Sequence, residues 1–366
     1  MSEALPSGQQ ILEMMRAFQP VCVIGAAAEL DVWGMLGERS LSAEEAARAL
    51  AADLRAATML LDAVAALNLL VKEQGGCEKM GLAPNRDVEN PANNGCREVP
   101  VPIFSQPQGR YRVPAELRPL LTHGTPQTVL PMVLHSMTIL RGWSQLAWVA
   151  KAGFPGPRTA SIRGFEADRA AFLAAMHTAS TPWADDLVAQ LGPPKFRRIL
   201  DVGGASGTWS LAFLRAVPDA KATIFDLPDA IEQARERLEK SEFAARVSLA
   251  KGDFYADELP AGADYAWVSA ICHQHSRQHN RELFAKVFRA LASGGKIAIR
   301  DVVMEPDRTR PRDGALFAIN MLVNTATGGT FTFAEYAADL QSAGFVEPQL
   351  LVRHEGMNAV VGARKP

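Results

Sequence analysis

Along residues 9–75 apolar positions recur every three to four residues, the period of helices with one buried face. "LSAEEAARAL" contains Ser42, with Glu45 three residues later; this is the side-chain pair of a capping box with a helix behind it. "DLRAATMLLDAVAALNLLVKE" follows at helical spacing, with Leu54, Thr58, Leu61 and Ala65 on one face, and ends in the strand-like "LLVKE". Two short helices, a turn and a strand read as a helix-turn-helix with a wing. Residues 84–114 break the pattern with six prolines and several Asn and Gly, which predicts a loop or extended insertion. Helical spacing resumes over 114–150 and over 169–191.

From Arg197 the rhythm becomes strand, glycine turn, helix. "RRILDVGG" reads as a buried strand ending in glycines, and "TWSLAFLRAV" as a helix. "KATIFDLP", "RVSLAKGDFY", "ADYAWVSAI" and "GGKIAIRDVV" read as further strands, with helices between most of them and the strand-like "GMNAVVGARKP" at the end. Such alternation specifies an α/β, doubly wound, mostly parallel sheet. We therefore expect a mostly helical domain over 1–165 and a Rossmann-like domain over 166–366. In such sheets ligands sit at the carboxyl ends of the strands.

Composition narrows the picture little. The formal net charge of −2 over 366 residues implies no global pull toward nucleic acid or membrane. Cys22, Cys77, Cys96 and Cys272 form no CxxC pair, which predicts reduced thiols. The polar "MSEALPSGQQ" lacks the pattern of a signal peptide. The longest apolar stretch, "VCVIGAAA", stops at Glu29, short of the roughly 20 residues of a membrane span. A cytoplasmic protein is expected.

The strand ends carry the candidate chemistry. "DVGGASG" offers Asp201, Gly203, Gly204 and Gly207, small residues that let backbone approach a ligand at the next helix's N-terminus. A dinucleotide fingerprint fails, because Ala205 and Thr208 stand where its second and third glycines belong. Asp226 in "FDLP" lies 25 residues after Asp201, near the spacing of about 20 at which an acid holds ribose hydroxyls; a helix N-cap suits it too. Asp253 and Phe254 in "GDFY" suit the edge and face of an adenine.

With these motifs the chain resembles the small-molecule O-methyltransferases that use S-adenosylmethionine, the group of plant caffeate and bacterial polyketide or phenazine enzymes. The resemblance covers nearly the whole length. It implies a winged-helix dimerisation domain over the N-terminal part. It assigns cofactor contacts to Gly203, Gly204, Asp226, Asp253 and Phe254. The family's Phe, Met and Ser spaced by four fall on Phe172, Met176 and Ser180, with Phe172 against substrate and Met176 and Ser180 against cofactor. Its general base falls on His273, at the end of the fourth strand, with Asp301 at the end of the fifth as the carboxylate that orients it. Met321 and Asn324 fall where the family touches substrate, on one stripe with Phe317. The chain departs from the family in three places. Gln274 and His275 follow His273 in place of Asp and Trp; Phe331 stands in place of a second acid; the Met–Asn spacing is one residue shorter.

His275 and His279 have no Cys or acid pair at metal-ligand spacing nearby, so no metal is expected; they read as a solvated helix start capped by Ser276. The whole predicts transfer of a methyl group from S-adenosylmethionine to a hydroxylated small molecule by a homodimer, whose 9–75 segment carries more apolar stripe than one small unit buries. Two alternatives stay open. One is the same fold doing C-methylation or a non-methylating cofactor-bound reaction. The other is a DNA-binding regulator, against which the candidate recognition segment carries only Arg55 as a cation.

Overall fold

The computed structural model describes residues 5–74, 109–192, 195–204 and 206–366. The chain divides into two compact units, Met1–Val133 and Leu134–Pro366. The elements, in order, are α1 (Gly8–Arg16), α2 (Phe18–Glu29), α3 (Val32–Leu36), β1 (Leu41–Ser42), α4 (Ala43–Ala49), α5 (Leu54–Ala66), β2 (Val71–Gln74), β3 (Gly109–Arg112), α6 (Arg118–Leu121), α7 (Leu130–Trp143), α8 (Leu146–Ala152), α9 (Phe165–Ser180), α10 (Ala184–Gln190), β4 (Arg198–Val202), α11 (Thr208–Ala216), β5 (Lys221–Asp226), α12 (Pro228–Glu239), β6 (Val247–Lys251), β7 (Ala263–Ser269), α13 (Arg277–Ala290), β8 (Leu291–Asp301), β9 (Val303–Met304), α14 (Arg312–Asn324), β10 (Phe331–Thr332), α15 (Phe333–Ser342), β11 (Val346–Val352) and β12 (Ala359–Arg364).

In the first unit Ser42 and Glu45 close the expected capping box at the start of α4. Helices α4 and α5 lead into an antiparallel sheet ordered β1-β3-β2. The buried Tyr111 hydroxyl donates to Asp62 at 2.7 Å, and Lys72 reaches the same carboxylate. Of the proline-rich stretch 84–114, residues 84–108 lie outside the described residues; Gly109–Arg112 is not loop but strand β3, because alternation buries Tyr111. Helix α1 buries none of its residues, and Ile11, Leu12, Met15 and Phe18 stand open to solvent. Gly8–Glu29 is long and apolar enough to cross a membrane by length and composition.

The second unit holds a seven-stranded sheet ordered β11-β12-β8-β7-β4-β5-β6. Strands β8, β7, β4, β5 and β6 are parallel, while β12, second from one edge, pairs antiparallel with both β8 and β11. Alternate residues feed two cores. Leu200, Val202, Val268 and Ile299 pack with Leu283, Phe284 and Leu340. Ile199, Trp267 and Ala298 pack with Leu187, Trp209 and Phe213 on the other face. Helices thus cover both faces, as the doubly wound pattern requires.

The units part between Val133 and Leu134, where the sequence suggested a boundary after 165. Composition hides this, since α7 and α8 look like the helices before them. Their partners lie far downstream: α8 packs on α14, and the Trp143 indole donates to Asn320 at 3.0 Å.

Candidate active site

Strand order reverses between β4 and β7: from β4 the chain winds outward to β5 and β6, then returns to the other side of β4 as β7. A crevice opens at such a switch point beyond the strands' carboxyl ends. Gly203 and Gly204 leave β4 there, and His273 follows β7.

The β4 turn is a cradle of backbone. Gly203 has φ +71°, and a Cβ on it would meet the Ile271 side chain at 2.3 Å. A Cβ on Gly204 would meet the Asp201 carboxylate at 2.2 Å. Asp201 is buried; Ser210 donates to its Oδ2 at 2.7 Å, and Oδ1 has no partner among the described residues. Burial first, then the negative charge of Asp226, pushes its carboxyl up to about 7. Asp226 ends β5, where one of its oxygens accepts from Leu227 N at 2.7 Å. Gly252 lets the next turn approach, since a Cβ there would meet the Phe225 ring at 2.6 Å. Beyond it Asp253 accepts from Tyr255 N at 2.9 Å, and Lys286 fixes the turn through the carbonyls of Phe254, Tyr255 and Asp257. Three carboxylates at neighbouring strand ends, an orphaned buried oxygen and a side-chain-free cradle suit a ligand with a cationic centre and a hydroxylated sugar. S-adenosylmethionine has both, so Gly203, Gly204, Asp201, Asp226 and Asp253 fit it.

His273 and Asp301 are brought together as expected. Both are buried, and His273 Nδ1 lies 2.8 Å from Asp301 Oδ1. Backbone positions the pair twice more: His273 N donates to Asp301 Oδ2 at 3.1 Å, and Val302 N to Oδ1 at 2.8 Å. Ala270, with φ +58°, turns the chain at the end of β7; strain of this kind is tolerated where position matters. Asn280 holds the carbonyl of Cys272 at 3.0 Å. Gly329 N donates to the His273 carbonyl at 2.9 Å, and a Cβ on Gly328 would strike that oxygen at 2.4 Å. The imidazole meets the Phe317 ring edge-on at 4.8 Å. Phe331 turns instead against Tyr336, ring centres 5.8 Å apart. The acid nearest it in sequence, Glu335, caps α15 through Thr332 and pairs with Arg308.

On α9, Ser180 is buried, Phe172 and Met176 are half-buried, and Phe172 packs on His135 of α7 at 5.0 Å. On α14, Met321 is buried and Asn324 donates to Asn320 at 2.9 Å. A Cβ on Gly142 of α7 would stand 3.0 Å from Asn324 Oδ1. Ser276 caps α13 as expected, and His275 and His279 are only partly exposed, packed around the Tyr255 ring 5.0 and 5.2 Å away. Burial pushes His275 down to about 4. No group of three metal-binding side chains occurs among the described residues.

Sequence reasoning missed several residues. His177, beside Met176, bonds Thr208 at the start of α11 at 2.7 Å, and burial drives it down to about 4. Arg300 is buried over the Trp209 ring at 4.5 Å and bonds Asn358 at 2.8 Å. Gly328 and Gly329 escape notice as well, because their target, a backbone carbonyl, leaves no trace in sequence.

A family profile described as an O-methyltransferase domain matches residues 138–346. The 3-hydroxy-5-methyl-1-naphthoate 3-O-methyltransferase of Streptomyces sahachiroi is 36% identical over 195 residues, 53% of this chain and 56% of that one. The acetylserotonin O-methyltransferase of Gallus gallus is 26% identical over 99% of both chains. Among solved structures, LaPhzM superposes with a TM-score of 0.78 at 20% identity, over 99% of this chain and 100% of that one. Human N-acetylserotonin methyltransferase, solved with S-adenosylmethionine, gives 0.76 at 23% identity, over 100% and 99%. These likenesses extend the fold to the whole chain.

Proposed function

The chain belongs to the O-methyltransferase family and is an S-adenosylmethionine-dependent enzyme of the small-molecule, natural-product type, and from that premise we propose that it methylates a hydroxyl of an aromatic or polyketide-like metabolite with His273 as general base. The observation that carries the proposal is the buried His273–Asp301 pair at the switch point. When bound, the cofactor supplies a methyl group on a positively charged sulfur. The chain's residues do the rest. Asp301 accepts from two backbone N–H groups, those of His273 and Val302, and a carboxylate has only acceptors to offer, so the His273 Nδ1 that faces it carries the proton. Nε2 then holds the lone pair that receives the acceptor's hydroxyl proton, and Asp301 stabilises the resulting imidazolium. Phe317 packs on the ring and keeps it oriented. Such a base contributes about 10²–10⁴-fold, and positioning reaches effective molarities of about 10⁵–10⁸ M.

The test is product mass. Purified enzyme with methyl-labelled S-adenosylmethionine and a panel of hydroxylated aromatics should give products carrying one labelled methyl on oxygen. Label on carbon, or none, would overturn the reading. We read the first unit's α4, α5 and β2–β3 as the winged helix of a dimerisation domain, with the open apolar face of α1 covered by a second copy. Light scattering at micromolar concentration should give about twice the 39.5 kDa of one chain; the mass of one chain would sink the dimer.

A further inference from the structure

The acceptor side of the site carries a histidine that the chemistry above does not use. His135 sits on α7, half-buried, with its ring against Phe172 at 5.0 Å and a tilt of 58°. Among the described residues its ring makes no hydrogen bond and no ion pair.

Helical geometry says what space this ring faces. His135, Ile139 and Gly142 are spaced by four and three, so they share one stripe of α7, about 10 Å from end to end at 1.5 Å per residue. One end meets Phe172 of α9; the other, Gly142, faces Asn324 of α14. Asn324 shares a stripe with Met321 and Phe317, and Phe317 lies on the His273 ring. Contacts thus run from α9 through α7 to α14, and α14 carries Phe317 onto the candidate base. The polar side chains Asn324 and Asn320 there bond each other, and Asn320 also accepts from the Trp143 indole, whereas the His135 ring has only the Phe172 ring against it.

We propose that His135 is a specificity-determining residue, its imidazole N–H holding an oxygen acceptor, carboxylate or carbonyl, on an aromatic substrate, remote from the hydroxyl that is methylated. This rests on reading the space beside His273 as the acceptor pocket. Burial lowers the basicity of His135, so the ring is neutral near pH 7 and offers one N–H and one lone pair. A half-buried donor discriminates well, because an analogue lacking the partner leaves that donor unpaired.

The experiment uses full-length enzyme saturated with S-adenosylhomocysteine and two probes, 3-hydroxy-1-naphthoate and 2-naphthol, which differ by one carboxylate. By calorimetry the wild type should bind the carboxylated probe at least about tenfold more tightly, the range of one hydrogen bond to a charged group. His135→Phe should bring the ratio to about one while keeping the 2-naphthol affinity and the melting temperature. His135→Gln, which retains an N–H, should recover part of it. A wild-type ratio near one, absence of binding by the carboxylated probe, or a ratio unchanged in His135→Phe would each overturn the proposal. Methyl transfer is scored separately: a binding ratio that depends on His135 without labelled product would fault the transfer reading and leave this one standing.

Discussion

The floor of the candidate site and its wall are built on different principles. The floor is made of strand ends and turns. Its glycines exclude side chains, and its two central acids, Asp201 and Asp301, are buried. Almost every contact there involves backbone: Gly203 N to Phe225 O, His273 N to Asp301, Gly329 N to the His273 carbonyl. The wall is made of helix faces on α7, α9 and α14, where side chain meets side chain: His135 on Phe172, Trp143 on Asn320, Asn324 on Asn320. A floor of backbone fixes chemistry, since moving one atom moves the chain. A wall of side chains can be refitted one residue at a time without disturbing the helices that carry it.

That contrast is open to breakage. The largest effect should come from the floor. His273→Ala should lower kcat by about 10²–10⁴ with cofactor affinity unchanged. A variant within about threefold of wild type, under 1 kcal/mol of barrier, would mean that the acceptor is already acidic or that carbon is the nucleophile, as Phe331 in place of a second acid allows.

Next comes the buried acid beneath the cradle. In the unfolded chain the Asp201 carboxyl loses its proton near its ordinary 3.8, in the fold only near about 7. Between these values the unfolded state binds fewer protons, so this group's contribution to stability is lost as pH rises through the window. The total is on the order of a few kcal/mol at most. Asp201→Asn should therefore gain melting temperature relative to wild type as pH is raised from about 4 to 7; a gap independent of pH would show that the carboxyl is not carrying that burden.

The smallest effect should come from the wall. Trp143→Phe removes the indole donor to Asn320, about 0.5–1.5 kcal/mol, and should raise the acceptor KM with kcat unchanged. A fall in kcat with unchanged KM would erase the distinction between the regions.

Legibility in the sequence follows the same division. The order of strands, the glycine turn and the meeting of His273 with Asp301 could all be read, because chain alternation and strand adjacency are local rules. Strand β11 was missed: Val346–Val352 is an edge strand with Pro348 and a register shift, buried only in part. His275 and His279 read as solvated because nothing local announces that Tyr255, twenty residues earlier, packs on both. The Trp143–Asn320 bond spans 177 residues, so no local pattern announces it. The wall of the candidate site thus stayed half-hidden: its residues were legible as stripes, but not which stripe faces which.

The double anchoring of His273 has one more consequence, for the molecule that lacks its ring. Its amide stays on Asp301 and its carbonyl on Gly329 whatever side chain it bears. In His273→Ala the peptide should keep its place, and the carboxylate should still await an N–H donor above an imidazole-shaped hollow. Free imidazole in the assay buffer is the reagent that hollow was left by. It should restore part of the lost turnover with saturating dependence on its concentration, while N-methylimidazole, whose protonated form alone can offer the carboxylate an N–H, should restore far less.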